Sequence, residues 1–465
     1  MTSRPLYLFL LSLVVTIAVL NGQRSVYWRP YDDNPQESLA SFHAHGFALA
    51  NQAGGIRNPF VARHFDAANG TVVPYNHWPN GFFALFSLVI RAAGNTETVG
   101  RTFALLLNLL GAYLLAWAFR DRFGFVFFGV PLLLALPIGR AAMPFVFVDA
   151  ALFCWLGFLA LAVAAGEPEK YRRAGRILFR LTAVLAPFFC QLIAPFLLAG
   201  AVARYAFHRR CREFIADVAI ASAAVAVLLL LLAWTDRGLL AGGRELVTQF
   251  LHRSNLSLRY DESVGWLELS RRLFDHLWKN LGSLTALLPG LWLGLVVRKK
   301  SVAVWLPAAL AYSLLLRNYV GIHIFANLPL LAIALFTGFS GLCLLVETEL
   351  IRGDARPLVR RLIAYPTIAL LLLVPLAVGG RDYYRLDSAI AGQRLAYRAL
   401  APAIDRSAAN AFVVPGNDDW RMIQFYCGER LARGIRAHEP RRLGVIDLPN
   451  KTLTVAPVLP VQSAN

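Results

Sequence analysis

The sequence predicts an all-α polytopic membrane protein, and three observations carry that prediction. Only 16% of its 465 residues are charged, whereas soluble globular domains contain about 25% charged residues. The mean hydropathy is +0.53. Several apolar runs reach the length of roughly 18–20 residues that a helix needs to cross a bilayer. A soluble enzyme is excluded, because too little polar sequence remains to cover a water-exposed surface.

The charge balance favours a membrane topology over a nucleic-acid partner. A net charge of +18 would suggest nucleic acid in a soluble protein. Here much of the excess lies in short segments between apolar runs, where the positive-inside rule predicts cytoplasmic loops. We therefore expect no nucleic-acid partner. The five cysteines include no Cys-x-x-Cys pair, so neither a zinc knuckle nor a disulfide framework is indicated.

The apolar runs and basic clusters define a topology. The first run, Leu6 to Leu20, has no small-x-small cleavage site after it, so we interpret it as a retained signal-anchor helix. Placing all five basic clusters in the cytoplasm gives about eleven membrane helices and an external carboxyl terminus. The clusters are Arg120–Arg122, Lys170–Arg180, Arg204–Arg212, Arg298–Lys300 and Arg352–Arg361. The predicted helices cover about 5–22, 99–119, 124–141, 144–166, a pair within 177–208, 214–234, 282–297, 302–317, 323–346 and 362–378.

Three segments then lie outside: a first loop (23–98), a middle loop (236–281) and a tail (380–465). The stretch 80–94 is apolar but short, which predicts an interfacial or re-entrant helix. We divide the chain into a membrane domain, 1–379, and a small folded domain or appendage, 380–465. In the latter, Phe412 to Pro415 predicts a strand before a Gly416-Asn417 turn.

Two acidic sites stand out on the predicted outer face. Asp32 and Asp33 follow the first helix; such a pair can act as a general base or bind a metal, and two solvated loop acids are the alternative. Asp149 lies in an apolar run, where a carboxylate is costly unless it is paired or faces a wet cavity. Its nearest candidate partner along the chain is Arg140.

Cations and histidines accompany these acids. His77 lies in the element Tyr75–Gly81, which predicts a rigid turn before the interfacial helix or, alternatively, a headgroup anchor. His323 follows a predicted outer turn and is more typical of a structural hydrogen-bonding group. Arg101 and Arg317 begin or end predicted helices at this face. Their shared depth suits a reaction between a membrane-embedded phosphate donor and an outer acceptor.

In this order the motifs resemble those of the GT-C glycosyltransferases, in the bacterial branch related to protein O-mannosyltransferases, aminoarabinose transferases and Rgt-type lipopolysaccharide glycosyltransferases. The resemblance covers about residues 1–350. It departs at Asp32-Asp33, where relatives have Asp-Glu, and at Trp78, where some have lysine. The matching elements are Asp32-Asp33 with Ala40 and Gly46, Tyr75 to Pro79 before Phe82-Phe83-Ala84-Leu85, Gly94 to Arg101, Asp149, and His323 to Leu331.

The resemblance implies a GT-C-type bundle in a bacterial inner membrane, with interfacial helices in the first periplasmic loop. It implies inverting transfer of a sugar from a polyprenyl-phosphate donor to a glycan, lipid or protein acceptor, with membrane lipid as a further partner. Asp33, or Asp32, would accept the proton of the acceptor hydroxyl. The remaining implied roles are charge neutralisation by Arg101, Arg140 or Arg317, orientation by Asp149, substrate binding by His77 and His323, and an optional divalent metal on Asp32, Asp33 and His77.

A lysine ligand for the donor phosphate is not expected, because the first outer loop contains no lysine. Arg101 and Arg317 are therefore the predicted phosphate ligands, since guanidinium binds phosphate oxygens in a fork. Two other functions remain as alternatives. A transporter or flippase of lipid-linked glycans would place polar residues near the midplane within internal repeats, and none is visible. The other is a non-catalytic membrane scaffold.

Overall fold

The computed structural model describes residues 3–28, 31, 35–54, 60–120, 124–254, 256, 264–352, 388–414, 420–437 and 442–455. These residues form a helical bundle that carries two small β-sheets. A bent helix pair, with 94° between its halves, provides one more candidate span beside five straight ones. The predicted helical membrane protein is thus confirmed, whereas the count of eleven spans is not. The straight candidates are Pro5–Gly22, Glu97–Phe119, Val148–Gly166, Cys211–Trp234 and Phe325–Leu345.

The described residues of the predicted first outer loop (23–98), which we call the first outer segment, form helices and a hairpin. An antiparallel hairpin joins its helices, with Gly70 in the left-handed turn conformation (φ 63°) that glycine adopts without strain. The sequence predicted only the last helix, at 80–94. The elements are α1 (Ser3–Gly22), α2 (Arg24–Tyr27), α3 (Pro35–Gly54), β1 (Val61–Asp66), β2 (Thr71–Pro79) and α4 (Gly81–Ala93).

Two parallel helices, α5 (Glu97–Phe119) and α8 (Val148–Gly166), form the centre of the bundle. They meet at Gly111 and Gly157, where a Cβ atom added to either glycine would lie 2.5–2.6 Å from a backbone oxygen of the other helix. Glycine thus allows the two backbones to approach closely. Because the helices are parallel, their amino-terminal turns lie at the same end of the bundle.

The predicted single helix 124–141 is broken. The structure has a 3-10 turn followed by α6 (Gly129–Ala135) and α7 (Pro137–Ala142). Leu136 is extended (ψ 152°), because a proline disfavours the helical conformation of the residue before it.

The remaining bundle helices follow the predicted order with different lengths. The predicted span 302–317 is a helix of only 11 residues, Trp305–Leu315. The predicted middle loop contains two helices whose apolar residues recur at helical spacing. The predicted helix 362–378 lies outside the described residues. The elements are α9 (Arg172–Leu185), α10 (Ala194–His208), α11 (Cys211–Arg237), α12 (Leu239–Arg253), α13 (Trp266–Leu281), α14 (Leu284–Arg298), α15 (Lys300–Ala303), α16 (Trp305–Leu315), α17 (Arg317–Ile322) and α18 (Leu328–Arg352).

A buried ion pair connects three helices at the end of the bundle away from the amino termini of α5 and α8. Asp217 of α11, whose side chain is 1% exposed, accepts hydrogen bonds from Arg180 of α9 (2.8 Å) and Arg204 of α10 (3.0 Å). Two cations therefore compensate the desolvated carboxylate.

The carboxyl-terminal segment packs on the first outer segment. Its sheet has the order β3-β4-β5, with β3 parallel to β4 and β5 antiparallel. The Phe412 N–H donates to the Ala67 carbonyl (2.8 Å), and the buried Gln424 amide donates to the Phe65 carbonyl (2.9 Å). The strand predicted at 412–415 is present, and its predicted turn lies outside the described residues. The elements are α19 (Ser388–Arg406), β3 (Ala411–Val413), α20 (Trp420–Tyr426), α21 (Gly428–Arg436), β4 (Leu443–Asp447) and β5 (Thr452–Val455).

Candidate active site

Two polar clusters lie at the amino-terminal end of α5 and α8. We call them the Asp149 cluster and the Tyr31 cluster. Both are largely buried, which is unusual for charged groups unless they are paired or serve a site. The Asp149 cluster consists of Trp78, Asp149, Arg253, Tyr319 and His323, and the Tyr31 cluster of Tyr31, His45, Asn95, Glu97 and Arg101.

Asp149 lies in the first turn of α8 and is 7% exposed. The Tyr319 hydroxyl lies 3.0 Å from Oδ1 and 2.9 Å from Oδ2 of this carboxylate and donates to it. The helix amino terminus adds a favourable partial charge. Arg140 is not the partner of Asp149 that the sequence suggested, because its Nε donates to the Ala135 carbonyl (3.1 Å). The break before α7 turns Arg140 back onto its own chain.

Arg253, the last residue of α12, supplies the cation near Asp149. Its guanidinium carbon lies 4.3 Å from the Trp78 ring centroid and 6.0 Å from that of Tyr319. It is also close enough to Asp149 for an electrostatic interaction. Within the described part of the chain its N–H groups donate no hydrogen bond. Aromatic faces thus hold this guanidinium while its donors stay available.

Polar atoms without partners surround this pair. Among the described residues, the Tyr312 hydroxyl, the Ser254 hydroxyl and His323 Nδ1 are buried and form no hydrogen bond. Tyr312 is within electrostatic range of both Asp149 and Arg253. Buried polar atoms are nearly always hydrogen-bonded, so these three atoms can bond a polar ligand or water.

His323 is neutral near pH 7. Burial lowers its pKa to about 4, and the nearby Arg253 guanidinium acts in the same direction. The imidazole stacks on Phe325, with ring centroids 5.0 Å apart, and lies 5.1 Å from the Tyr319 ring. The histidine is therefore suited to hydrogen bonding rather than to neutralising a phosphate.

His77 lies in strand β2 and not in the predicted turn. The register with β1 slips there, leaving residues 76–78 as a bulge, and a bulge redirects side chains. His77 Nε2 lies 3.0 Å from Glu245 Oε1 of α12, and its Nδ1 lies 3.1 Å from the Tyr75 hydroxyl. Gln191 donates to its carbonyl (2.8 Å). His77 thus connects the first outer segment to α12.

Tyr31 anchors the second cluster. It is 1% exposed, and its N–H donates to Glu97 Oε2 (3.0 Å). Its hydroxyl lies 2.9 Å from His45 Nε2, and the Arg101 guanidinium lies 4.8 Å from its ring centroid. Burial raises the pKa of Tyr31 well above its ordinary value, so the phenol stays protonated.

His45 completes the hydrogen-bond chain from Tyr31. Burial lowers its pKa to about 4, against the opposing effect of its Asn95 bond. Its Nδ1 lies 2.6 Å from Asn95 Oδ1. Because an amide oxygen only accepts, the neutral ring carries its proton on Nδ1 and accepts the Tyr31 hydroxyl at Nε2. Tyr31 is thereby fixed at its backbone and at its phenol.

The predicted site residues make different contacts at this end of the bundle. Asp149 and His323 share one cluster, whereas Arg101 belongs to the other. Arg317 stacks on Trp266 of α13, with its guanidinium carbon 4.4 Å from the ring. Asp32 and Asp33, which follow Tyr31 directly in the chain, lie outside the described residues. No group of three or more potential metal ligands occurs within the ranges given above, and these exclude Asp32 and Asp33.

Arg253 and Tyr319 were not identified from the sequence. Arg253 ends an amphipathic stretch in the middle segment, and Tyr319 lies between Arg317 and His323 in a segment already noted. The signal that could have identified Arg253 is a cation at the end of an amphipathic stretch in the predicted middle loop.

Comparison with known proteins supports the fold. ArnT from Cupriavidus metallidurans in the apo state superposes with a TM-score of 0.56 at 14% identity, covering 92% of each chain. ArnT bound to undecaprenyl phosphate gives 0.58 at 14%, covering 96% of this chain and 94% of ArnT. The archaeal oligosaccharyltransferase AglB from Archaeoglobus fulgidus, in complex with an inhibitory peptide and a dolichol-phosphate, gives 0.55 at 11%, covering 97% and 75%.

The sequence itself matches no family model and no curated protein. At 11–14% identity the structural likeness establishes the fold alone. The chain is a multi-pass membrane protein with the GT-C fold that ArnT and AglB share.

Proposed function

We propose that this protein is an inverting membrane glycosyltransferase that transfers a sugar from a polyprenyl-phosphate donor to an acceptor at the periplasmic face of a bacterial inner membrane. The observation that carries the proposal is Arg253, held over Trp78 beside Asp149 among buried polar atoms that lack partners. A half-buried cation with available donors suits a lipid-linked phosphate. The lipid ligands of ArnT and AglB are of the same chemical class.

Arg253 replaces Arg101 and Arg317 as the favoured phosphate ligand. Arg101 lies against Tyr31, and Arg317 lies against Trp266. Arg253 combines proximity to the Asp149 carboxylate with N–H groups that donate no hydrogen bond within the described residues. A guanidinium can bind two phosphate oxygens at once. Asp149, through Tyr319 and the charge of Arg253, would keep these two side chains oriented toward the ligand.

The proposed reaction is a displacement at the anomeric carbon. Asp33, or Asp32, accepts the proton of the acceptor hydroxyl. The acceptor oxygen forms a bond to the anomeric carbon while the bond from that carbon to the phosphate oxygen breaks. Polyprenyl phosphate leaves with the bonding electron pair, and Arg253 stabilises the developing negative charge. Attack from the opposite side inverts the anomeric configuration.

The placement of charge favours a transferase over a transporter. Both clusters lie at one end of the bundle, and the buried Asp217 pair lies at the other. Transporters bind substrate near the midplane on broken helices. A scaffold has no need of a buried carboxylate and a half-buried guanidinium beside unsatisfied polar atoms, whose desolvation costs stability.

The test uses purified protein in lipid nanodiscs and a panel of undecaprenyl-phosphate-linked pentoses and hexoses. We expect at least one donor to release undecaprenyl phosphate when a total envelope-glycan extract is added as acceptor. Arg253→Gln should abolish most of this release. Arg244→Gln is the matched control, because the exposed Arg244 lies on the same helix and its side chain forms no hydrogen bond or ion pair with the described residues of either cluster.

The cellular counterpart is the envelope-glycan profile of a deletion strain, measured by mass spectrometry. Loss of one sugar from a glycan, restored by the wild-type gene and not by Arg253→Gln, supports the proposal. An unchanged profile, together with no release from any donor, would refute it.

A further inference from the structure

Glu97 bonds two parts of the protein. One is Tyr31, the residue before the acidic pair Asp32-Asp33, and the other is the carboxyl-terminal segment. Glu97 Oε2 accepts the Tyr31 N–H (3.0 Å), and its Oε1 accepts from Nη2 of Arg398 in α19 (3.0 Å). We propose that Glu97 is a positioning residue that fixes Tyr31 and makes its placement depend on the carboxyl-terminal segment. The inference rests on the proposed function in treating Asp32-Asp33 as the base.

Glu97 is suited to this role because its own position is determined locally. It is the first residue of α5, and the Thr96 hydroxyl accepts the Val99 N–H (3.2 Å) as an N-cap. A carboxylate in the first turn is also favoured by the helix dipole. Only 10% of its side chain is exposed. The two oxygens therefore have fixed directions, one toward Tyr31 and one toward Arg398.

The carboxyl-terminal segment also contacts the other end of Tyr31. Asn95 Nδ2 donates to the Phe425 carbonyl of α20 (3.4 Å), while Asn95 Oδ1 bonds His45. His45 in turn accepts the Tyr31 hydroxyl. The Tyr31 N–H bonds Glu97, and Glu97 bonds Arg398 of the carboxyl-terminal segment. The Tyr31 hydroxyl bonds His45, His45 bonds Asn95, and Asn95 bonds the Phe425 carbonyl of the same segment.

Tyr31 and the proposed phosphate ligand Arg253 are held by different contacts. Arg253 and Asp149 form no hydrogen bond or ion pair with the carboxyl-terminal segment within the described residues. A disturbance transmitted through Glu97 should therefore alter the placement of the chain at the acidic pair and leave donor binding intact. In kinetic terms kcat should fall while the donor KM is unchanged.

The primary measurement is the hydrogen-exchange rate of the Tyr31 amide, followed by mass spectrometry of the full chain in nanodiscs. Glu97→Ala should raise this rate at least about tenfold, because it removes a hydrogen bond to a charged acceptor. Arg398→Gln should raise it by about 1.5- to fivefold, the range for a partly exposed ion pair. Arg398→Lys should restore most of the protection.

Arg433→Gln is the matched control. It breaks the Arg433–Asp405 pair (2.6 Å), which also belongs to the carboxyl-terminal segment; among the described residues neither side chain forms a hydrogen bond or ion pair with the first outer segment. It should leave the Tyr31 amide unchanged. The double variant Glu97→Ala/Arg398→Gln should exchange no faster than Glu97→Ala, since both act through one group.

The outcomes distinguish this inference from the proposed function. Wild-type exchange at Tyr31 in both Glu97→Ala and Arg398→Gln overturns the inference, and so does a donor KM that rises with kcat unchanged. An exchange effect of Arg433→Gln equal to that of Arg398→Gln would show general loosening and would also overturn it. If no donor supports transfer by the wild-type protein, the proposed function fails while the exchange data still decide the role of Glu97.

Discussion

Replacing Arg253 by glutamine removes the cation of the Asp149 cluster while leaving a side chain of similar reach. In the structure the guanidinium lies 4.3 Å from the Trp78 ring centroid and donates no hydrogen bond within the described residues. The lost interaction with a phosphate is therefore not compensated by a released internal bond. A hydrogen bond to a charged group contributes about 1.5–3 kcal/mol. The dissociation constant for undecaprenyl phosphate should rise by roughly 10- to 150-fold, since each 1.4 kcal/mol is tenfold.

Replacing Trp78, whose ring lies under Arg253, gives a second estimate of how the guanidinium affects the affinity for undecaprenyl phosphate. Trp78→Leu removes the aromatic face under Arg253, and a cation–π interaction contributes about 0.5–2 kcal/mol. The dissociation constant should rise by roughly two- to thirtyfold, because the guanidinium loses its fixed position. The double variant should bind no more weakly than Arg253→Gln alone, since the ring acts through the arginine.

Native mass spectrometry or calorimetry of the nanodisc-embedded protein measures this affinity without knowledge of the sugar. Arg244→Gln, on the same helix, should bind undecaprenyl phosphate as the wild type does. Wild-type affinity in Arg253→Gln together with lost affinity in Arg101→Gln or Arg317→Gln would refute this reasoning. The phosphate would then lie outside the Asp149 cluster.

Three further predictions concern the surrounding structure. Asp149→Asn should lower transfer by at least about a hundredfold with unchanged detergent stability, measured by donor turnover and by a thermal shift. Asn318→Leu should raise the donor KM by roughly three- to thirtyfold. The Asn318 Nδ2 donates to the His252 carbonyl (2.9 Å) and so holds the residue before Arg253. A donor KM equal to that of the wild type would contradict this prediction. Asp217→Asn should destabilise the protein by about 3–5 kcal/mol, because the buried Arg204 and the partly exposed Arg180 lose their shared carboxylate; denaturation in detergent measures the loss, and activity at low temperature should persist.

The fold class was predictable because composition determines whether a chain can be soluble. Asp149 was also predictable, since a carboxylate in an apolar run is costly wherever the run is placed. Its partners were not. The sequence suggested Arg140, nine positions away, whereas Tyr319 and Arg253 come from helices more than 100 residues further along the chain. Proximity along a chain does not determine proximity across a bundle.

The folded outer segments were missed for a different reason. Asn69-Gly70 is a hairpin signal, and it stands between the β1 and β2 strands. The flanking segments contain histidine, proline and aspartate beside their apolar residues, which obscures the alternation of a strand. The helices of the middle segment have an apolar face on one side only, so their apolar residues recur at helical spacing and form no uninterrupted apolar run. Membrane spans are indicated by uninterrupted runs, whereas such amphipathic helices are indicated only by periodicity.

The close contact of α5 and α8 has a consequence for how the outer end of the bundle is shaped. Gly111 lies ten residues after Arg101, and Gly157 eight residues after Asp149, which corresponds to about 15 Å and 12 Å along the helices. A methyl group at either glycine would meet a carbonyl oxygen at 2.5–2.6 Å, so the helices would have to separate or tilt. Such a tilt would change the distance between the two clusters. Under the proposed function, the spacing between the donor and acceptor sites would depend on this glycine contact, and a substitution there would alter the substrate range without changing a residue of either cluster.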